Sequence, residues 1–176
     1  MTKTIEIRPL TREDNRTDFS CGESGLDRFF EHYAGQNQFK LHLVVTYVAV
    51  VKARIVGFAT VSASSMERAS VPHARLRKRL PAYPLPMLRL ARLGVDSRAQ
   101  GLGIGKALLR HVLTLAVEQR DRLGCVGVLI DAKPATVSFY QSLGFEPVEG
   151  VREGLLHGEP QSLFLPIGTI ASLVDR

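Results

Sequence analysis

One segment limits the options for this chain more than any other: residues 98–109, RAQGLGIGKALL, place Gly101, Gly103 and Gly105 where a strand-like run passes into a helical one. Residues 87–95 read as a strand. After them Ile104, Ala107, Leu108, His111, Val112 and Leu115 fall at helical spacing on one face. Glycines at such a junction let several backbone amides converge without side chains in the way. The first turn of a helix has N–H groups with no partner in the helix, and the helix dipole adds positive potential there, so the junction favours an anion. Arg98 and Lys106 add charge at its rim. Two phosphate-binding patterns fail on spacing. A Walker A loop needs a glycine five residues before its Gly-Lys and a hydroxyl residue after it, and here those positions hold Gln100 and Ala107. A dinucleotide fingerprint needs a third glycine where Lys106 stands, and Asp131 comes too late to be its acidic residue. A glycine loop that only eases a tight bend is the remaining structural alternative.

The rest of the chain bounds what this turn belongs to. With 176 residues and 45% hydrophobic content, the length suits a single domain over residues 1–176. No apolar run approaches the roughly 20 residues of a membrane span, and MTKTIEIRPL lacks the layout of a secretory signal, so the expectation is a cytoplasmic protein without membrane contact. Cys21 and Cys125 have no CxxC partner and read as ordinary buried thiols. The five histidines form no triad or metal set, and His111 reads as a packed residue on the apolar face of its helix.

Strands are expected near residues 4–8, 42–51, 54–62, 87–95, 125–130 and 162–165. A tight break at Lys52 and Ala53 joins the second and third as a hairpin. Leu26, Phe29, Phe30 and Tyr33 give a short amphipathic helix, and Pro134 opens another that runs to about Leu143 and ends at Gly144. Residues 62–86 read as a loop with one short helix around 71–80. This order argues for a mixed sheet flanked by helices. The net charge of +6 points to anionic partners, with Arg75, Arg77, Lys78 and Arg79 in one run and Arg89, Arg92 and Arg98 following. A solvated basic face is the alternative reading of that run.

RAQGLG resembles the Q/R-x-x-G-x-G/A motif of the GNAT (GCN5-related N-acetyltransferase) superfamily, with Arg98, Gly101 and Gly103 at its fixed positions. ATVSFYQSLGF at 135–145 is similar to a later element of the same family. The resemblance implies an α/β (α+β mixed) fold whose mostly antiparallel central sheet of six to seven strands is flanked by helices. It implies acetyl-CoA as acetyl donor, with no metal. Leu93 and Val95 would give strand backbone contacts to the pantetheine arm. Gln100, Gly101, Leu102, Gly103, Ile104, Gly105 and Lys106 would contact the pyrophosphate, with Arg98 and Phe139 also in the cofactor site. Tyr140 would be the catalytic residue, its hydroxyl directed at the departing thiolate. A tyrosine titrates near ~10 and a cysteine-type thiol near ~8.5, so hydrogen bonding rather than complete proton transfer is the expected contribution.

FSCGESGLDRFF at 19–30 and residues 83–109 look like the GNAT toxins of type II toxin–antitoxin systems. That likeness implies acetylation of the α-amino group of aminoacyl-tRNA, a block of translation, a ribbon-helix-helix antitoxin as partner, and a homodimer. Arg75, Arg77, Lys78, Arg79, Arg89 and Arg92 would then receive tRNA phosphates, with Arg92 alternatively supporting the cofactor strand. Cys21 and Asp27 would shape the N-terminal loop and helix. Attack would be direct, without an acyl-enzyme. An α-amino group titrates near ~8 and needs no strong base, although Glu67 or Asp96 is available to assist. Two alternatives stay open: a GNAT enzyme acting on a small-molecule amine or protein N-terminus, and a noncatalytic acetyl-CoA-binding or antitoxin-binding module.

Overall fold

The two-residue break at Lys52 and Ala53 is a hairpin turn, with both residues in the left-handed region at φ 50° and 63°. That pair of conformations matches the twist of the strands it joins, β2 (Val45–Val51) and β3 (Arg54–Met66), which pair antiparallel. β1 (Glu6–Pro9) pairs antiparallel with the outer side of β2. The computed structural model describes residues 4–148 and 160–175. Its seven strands form one mixed sheet in the order β1-β2-β3-β4-β5-β7-β6, and helices flank it. Contacts divide the chain into two compact units, Met1–Ser62 with Leu90–Val112, and Ala63–Arg89 with Leu113–Arg176.

In the first unit, α1 (Ser24–Arg28) runs into a π-helical turn, Phe29–Tyr33, and then α2 (Ala34–Phe39). The wider turn buries both Phe29 and Phe30 but carries Tyr33 off the apolar face, where it is exposed, contrary to the simple helical spacing. Phe30 stacks on Phe58 at 4.5 Å, and Phe19 sits edge-on to both. α4 (Ile104–Arg122) seats its first turns directly on β3 at Gly57. A Cβ there would meet Ile104 Cγ2 at 2.8 Å and Leu108 Cδ1 at 2.9 Å. This close approach fixes where the helix begins.

The second unit contains α3 (Ala74–Arg79), β5 (Gly127–Ala132), α5 (Val137–Ser142) behind a 3-10 turn at Pro134–Thr136, β6 (Glu146–Pro147), β7 (Gln161–Pro166) and α6 (Ile167–Val174). β5 and β6 each pair antiparallel with β7. Met66, Val71, Leu85, Met87 and Phe164 form its buried cluster. That burial explains two differences from expectation. β3 continues past Ser62 to Met66, and β4 (Leu85–Val95) begins two residues before Met87, because Met66 and Leu85 each supply core. β5 begins two residues later than expected, since Cys125 precedes the strand, buried, with its thiol donating to Gly127 O at 3.2 Å. Cys21, the other thiol, is half-buried rather than buried.

Candidate active site

β4 ends at Val95, and a 3-10 turn at Ser97–Ala99 leads through Gln100 into the glycines. Gly101 and Gly103 stand at φ 82° and 83°, a conformation that a residue with a side chain adopts at a cost of about 1–2 kcal/mol. A Cβ on either would meet no atom within 4 Å, so the face they present is open. The first bond of α4 runs from Ala107 N–H to Gly103 O at 3.1 Å. Helix geometry then leaves the amides of residues 103–106 without carbonyl partners in the helix. Gly105 has an ordinary backbone, and a Cβ on it would make normal contact with Val95 Cγ2 at 3.6 Å. Packing does not demand glycine there, but its absence of a side chain bares the first helical turn.

The expected cofactor residues divide by what their side chains do. Lys106 and Leu102 are exposed, and Leu93 and Val95 are half-buried on β4. Ile104 is buried against β3, so only its amide faces the turn. Gln100 donates to Val95 O and Cys21 O at 3.3 and 3.4 Å. Arg98 differs most from the reading as a rim charge. Its Nε and Nη2 each lie 3.0 Å from the Asp96 carboxylate, and Nη2 also donates to Asp18 O at 2.8 Å. The motif spacing is met a second time by Gln100, Gly103 and Gly105, and it is this register that coincides with the bare helix start.

Asp96 is the residue the sequence under-reads. Its side chain is 1% exposed, and hydrogen bonds from Arg98 hold its carboxyl at about 2, well below the usual carboxylate value. A carboxylate so held is no general base, which removes Asp96 from that role; Glu67 is exposed. Asp14, clamped by Arg8 through two 2.8 Å bonds, is likewise depressed to about 2. A depressed carboxylate stabilises the fold above its unfolded value, and that contribution disappears as pH falls through the folded value. Each group is worth about 2 kcal/mol. We therefore expect the denaturant midpoint to hold down to about pH 4 and to drop between there and about pH 2. Asp96→Asn should flatten part of that drop.

In the second unit Tyr140 is 6% exposed, edge-on to Phe139 at 5.2 Å and to Phe145 at 5.7 Å. Burial pushes its phenol above the ordinary tyrosine value, so the hydroxyl keeps its proton. Phe139 is partly exposed. Arg75, Lys78 and Arg79 on α3 are exposed, whereas half-buried Arg77 donates to Val71 O at 2.7 Å and ties the helix to its own loop. Arg89 is paired with Asp131, its Nε donating at 2.8 Å.

In the first unit the Arg92 guanidinium lies 3.9 Å over the Phe29 ring, an arrangement suited to bracing β4 as much as to meeting a phosphate. Asp27 accepts from Cys21 N–H at 2.8 Å and from Ser20 Oγ, shaping the N-terminal loop as expected. His111 packs beside Tyr47 at 4.6 Å. His157 lies outside the described residues. Among the described residues no group of His, Cys, Asp or Glu is placed to hold a metal, and no helix is long and apolar enough to cross a membrane.

Comparison with known proteins shows what the chain is similar to. A family model described as an acetyltransferase (GNAT) domain matches residues 42–147. Over 140 residues the chain is 32% identical to the tRNA-acetylating toxin of Mycobacterium tuberculosis, covering 79% of this chain and 82% of that one. The structure of AtaT complexed with acetyl-methionyl-tRNAfMet superposes with a TM-score of 0.84 at 27% identity, covering 97% and 99% of the two chains. A Tyr-to-Phe mutant of AtaT, bound to acetyl-CoA and the C-terminus of the antitoxin AtaR, superposes with a TM-score of 0.75 at 26% identity, covering 98% and 99%.

Proposed function

The chain belongs to the GNAT acetyltransferase family, and from that membership we propose that it transfers acetyl from acetyl-CoA to the α-amino group of aminoacyl-tRNA, blocking translation. The observation that carries the reading is the open turn at 101–106, where two left-handed glycines lead into the unpartnered first-turn amides of a 19-residue helix. Pyrophosphate suits that place, and residues 101–106 hold it chiefly through backbone. Leu93 and Val95 on β4 offer their backbone to the pantetheine arm. The relatives' tRNA and acetyl-CoA complexes support the choice of acceptor and donor.

Tyr140 acts as a hydrogen-bond donor to the sulfur as negative charge develops there. Tyrosine and thiol differ by roughly 1.5 units before burial, a gap of about 2 kcal/mol, and burial of Tyr140 widens it. Complete proton transfer is therefore uphill, and stabilisation of charge is the useful contribution. The α-amine has an appreciable neutral fraction at neutral pH and attacks directly, its proton passing to water. Arg75, Lys78 and Arg79 meet the tRNA backbone, while Arg77 shapes the helix that carries them.

The same reading includes one domain over residues 1–176, a homodimer in the cytoplasm, and neutralisation by an antitoxin of the ribbon-helix-helix type. AtaT's complex with its antitoxin supports a protein partner. Incubation with labelled acetyl-CoA and total charged tRNA tests the reaction. Label is expected in the RNA fraction, and label that appears there equally with deacylated tRNA contradicts the α-amine as acceptor.

A further inference from the structure

Arg98 stands at a fixed position of the motif, yet its guanidinium is turned toward protein, onto Asp96 and Asp18. Asp96 Oδ1 accepts from Arg98 N–H at 2.9 Å and from its Nε at 3.0 Å, and Oδ2 accepts from Nη2 at 3.0 Å. Oδ2 also receives Ser20 N–H at 3.4 Å, and Arg54 Nη2 lies 3.8 Å away. The Asp96 N–H is bonded to Val56 O, and the Ser97 N–H to Ser20 O, each at 2.9 Å. Arg98 Nη2 reaches on to Asp18 O, and Gln100 to Cys21 O. The N-terminal segment 18–21, the end of β4 and the entry to the glycine turn are thus tied together at one buried carboxylate.

We propose that Asp96 is the positioning residue of the cofactor site. With Arg98 as its counter-ion, it fixes the turn whose amides receive the pyrophosphate, and Arg98 itself is not a phosphate ligand. The proposal rests on the reading of that turn as the acetyl-CoA site. Two considerations favour it. Gly101 and Gly103 have no side chains to hold the turn in place: its exit is set by the seating of α4 on Gly57, and its entry is held by Asp96 through Arg98 and by Gln100 through Val95 O and Cys21 O. The charges also cancel: Asp96 with Arg98 and Asp18 with Arg54 leave no net positive charge at this point. Attraction for an anion is then left to the amides, the helix dipole and Lys106.

The two roles for Arg98 predict opposite signs for Asp96→Asn. If Arg98 were a phosphate ligand, removing its counter-ion would free it and tighten acetyl-CoA binding or leave it unchanged. In the clamp, the same substitution loosens the turn and weakens binding by roughly tenfold or more, within the range that small misplacements cause. S-acetylpantetheine, which has no pyrophosphate, separates this from general damage: the loss of kcat/KM in Asp96→Asn should be much smaller with it than with acetyl-CoA, whose KM rises. The double variant Asp96→Asn/Arg98→Gln should bind no worse than the weaker single variant, because both remove one clamp.

Arg98→Lys gives an independent reading, since its guanidinium is largely exposed and the fold does not depend on covering it. A lysine keeps the charge but not the planar fork, so the clamp predicts binding weakened as far as in Arg98→Gln, whereas a phosphate ligand, which lysine serves as a point charge, predicts that Arg98→Lys binds clearly better than Arg98→Gln. Calorimetric titration with acetyl-CoA decides the matter. Tighter or unchanged binding in Asp96→Asn, clearly better binding in Arg98→Lys than in Arg98→Gln, or parallel losses with both donors overturns the proposal. If Asp96→Asn does not fold, the comparison of Arg98→Lys with Arg98→Gln decides alone. A wild-type chain that binds no acetyl-CoA instead overturns the cofactor reading, and the clamp's purpose with it.

Discussion

Tyr140→Phe is expected to lower kcat by about 10²–10³-fold, the cost of removing one preorganised donor from developing negative charge. KM for both substrates should change little, because the lost bond matters chiefly when the sulfur becomes anionic. The edge-on contacts with Phe139 and Phe145 survive the substitution, so the melting temperature should stay near that of the parent. A stable variant with undiminished kcat would make Tyr140 a packing residue and nothing more. The raised phenol value adds a second expectation. Activity should not fall through tyrosine ionisation at or below about pH 10, since the protonated donor persists above the ordinary tyrosine value.

Charge reversal on α3 should have a comparable effect on a different parameter. Replacing Arg75, Lys78 and Arg79 together by glutamate removes three exposed cations and adds three repulsions against a polyanion. The KM for charged tRNA is expected to rise about 10²-fold or more at moderate salt, while binding of acetyl-CoA is unchanged. In the parent, log(1/KM) for tRNA should fall steeply with log salt, and the variant should lose about 2–3 units of that slope. Arg77→Glu should behave otherwise. Its bond to Val71 O is structural, so the expected result is a less stable α3 region rather than a selective loss of tRNA use. Unchanged tRNA kinetics in the triple variant would leave the basic run as a solvated face.

The contrast between Arg77 and its neighbours shows what spacing alone conveyed. Composition identified a basic cluster, but which cations are free depends on a carbonyl at Val71, on Asp131 beside Arg89 and on the Phe29 ring under Arg92. Two of these contacts join residues far apart in sequence, and the third, from Arg77 to a carbonyl six residues before it, leaves no mark in the side-chain pattern. The hairpin at Lys52 and Ala53, the helix seated behind Gly103 and the helix end at Gly144 were legible because turn residues and periodicity are local signals. β6 is only two residues long, and α6, IGTIASLV, is apolar and partly β-branched; both lack a pattern that separates strand from helix. The π-helical turn shifted Tyr33 off the face that a regular helix would have given it. Arg98 was conspicuous as a motif residue, whereas Asp96, a short acidic residue between a strand and a turn, acquires its importance when Ser20 and Arg54, distant in sequence, join Arg98 around its carboxylate.

The most direct measurement follows the acetyl group to its final atom. After incubation with acetyl-CoA carrying an isotopic label and total charged tRNA, nuclease digestion releases the terminal aminoacyl-adenosine for mass spectrometry. The account predicts labelled N-acetylaminoacyl-adenosine, at a level greatly reduced in Tyr140→Phe. Unmodified aminoacyl-adenosine, with the label instead on small amines or protein N-termini, would contradict it.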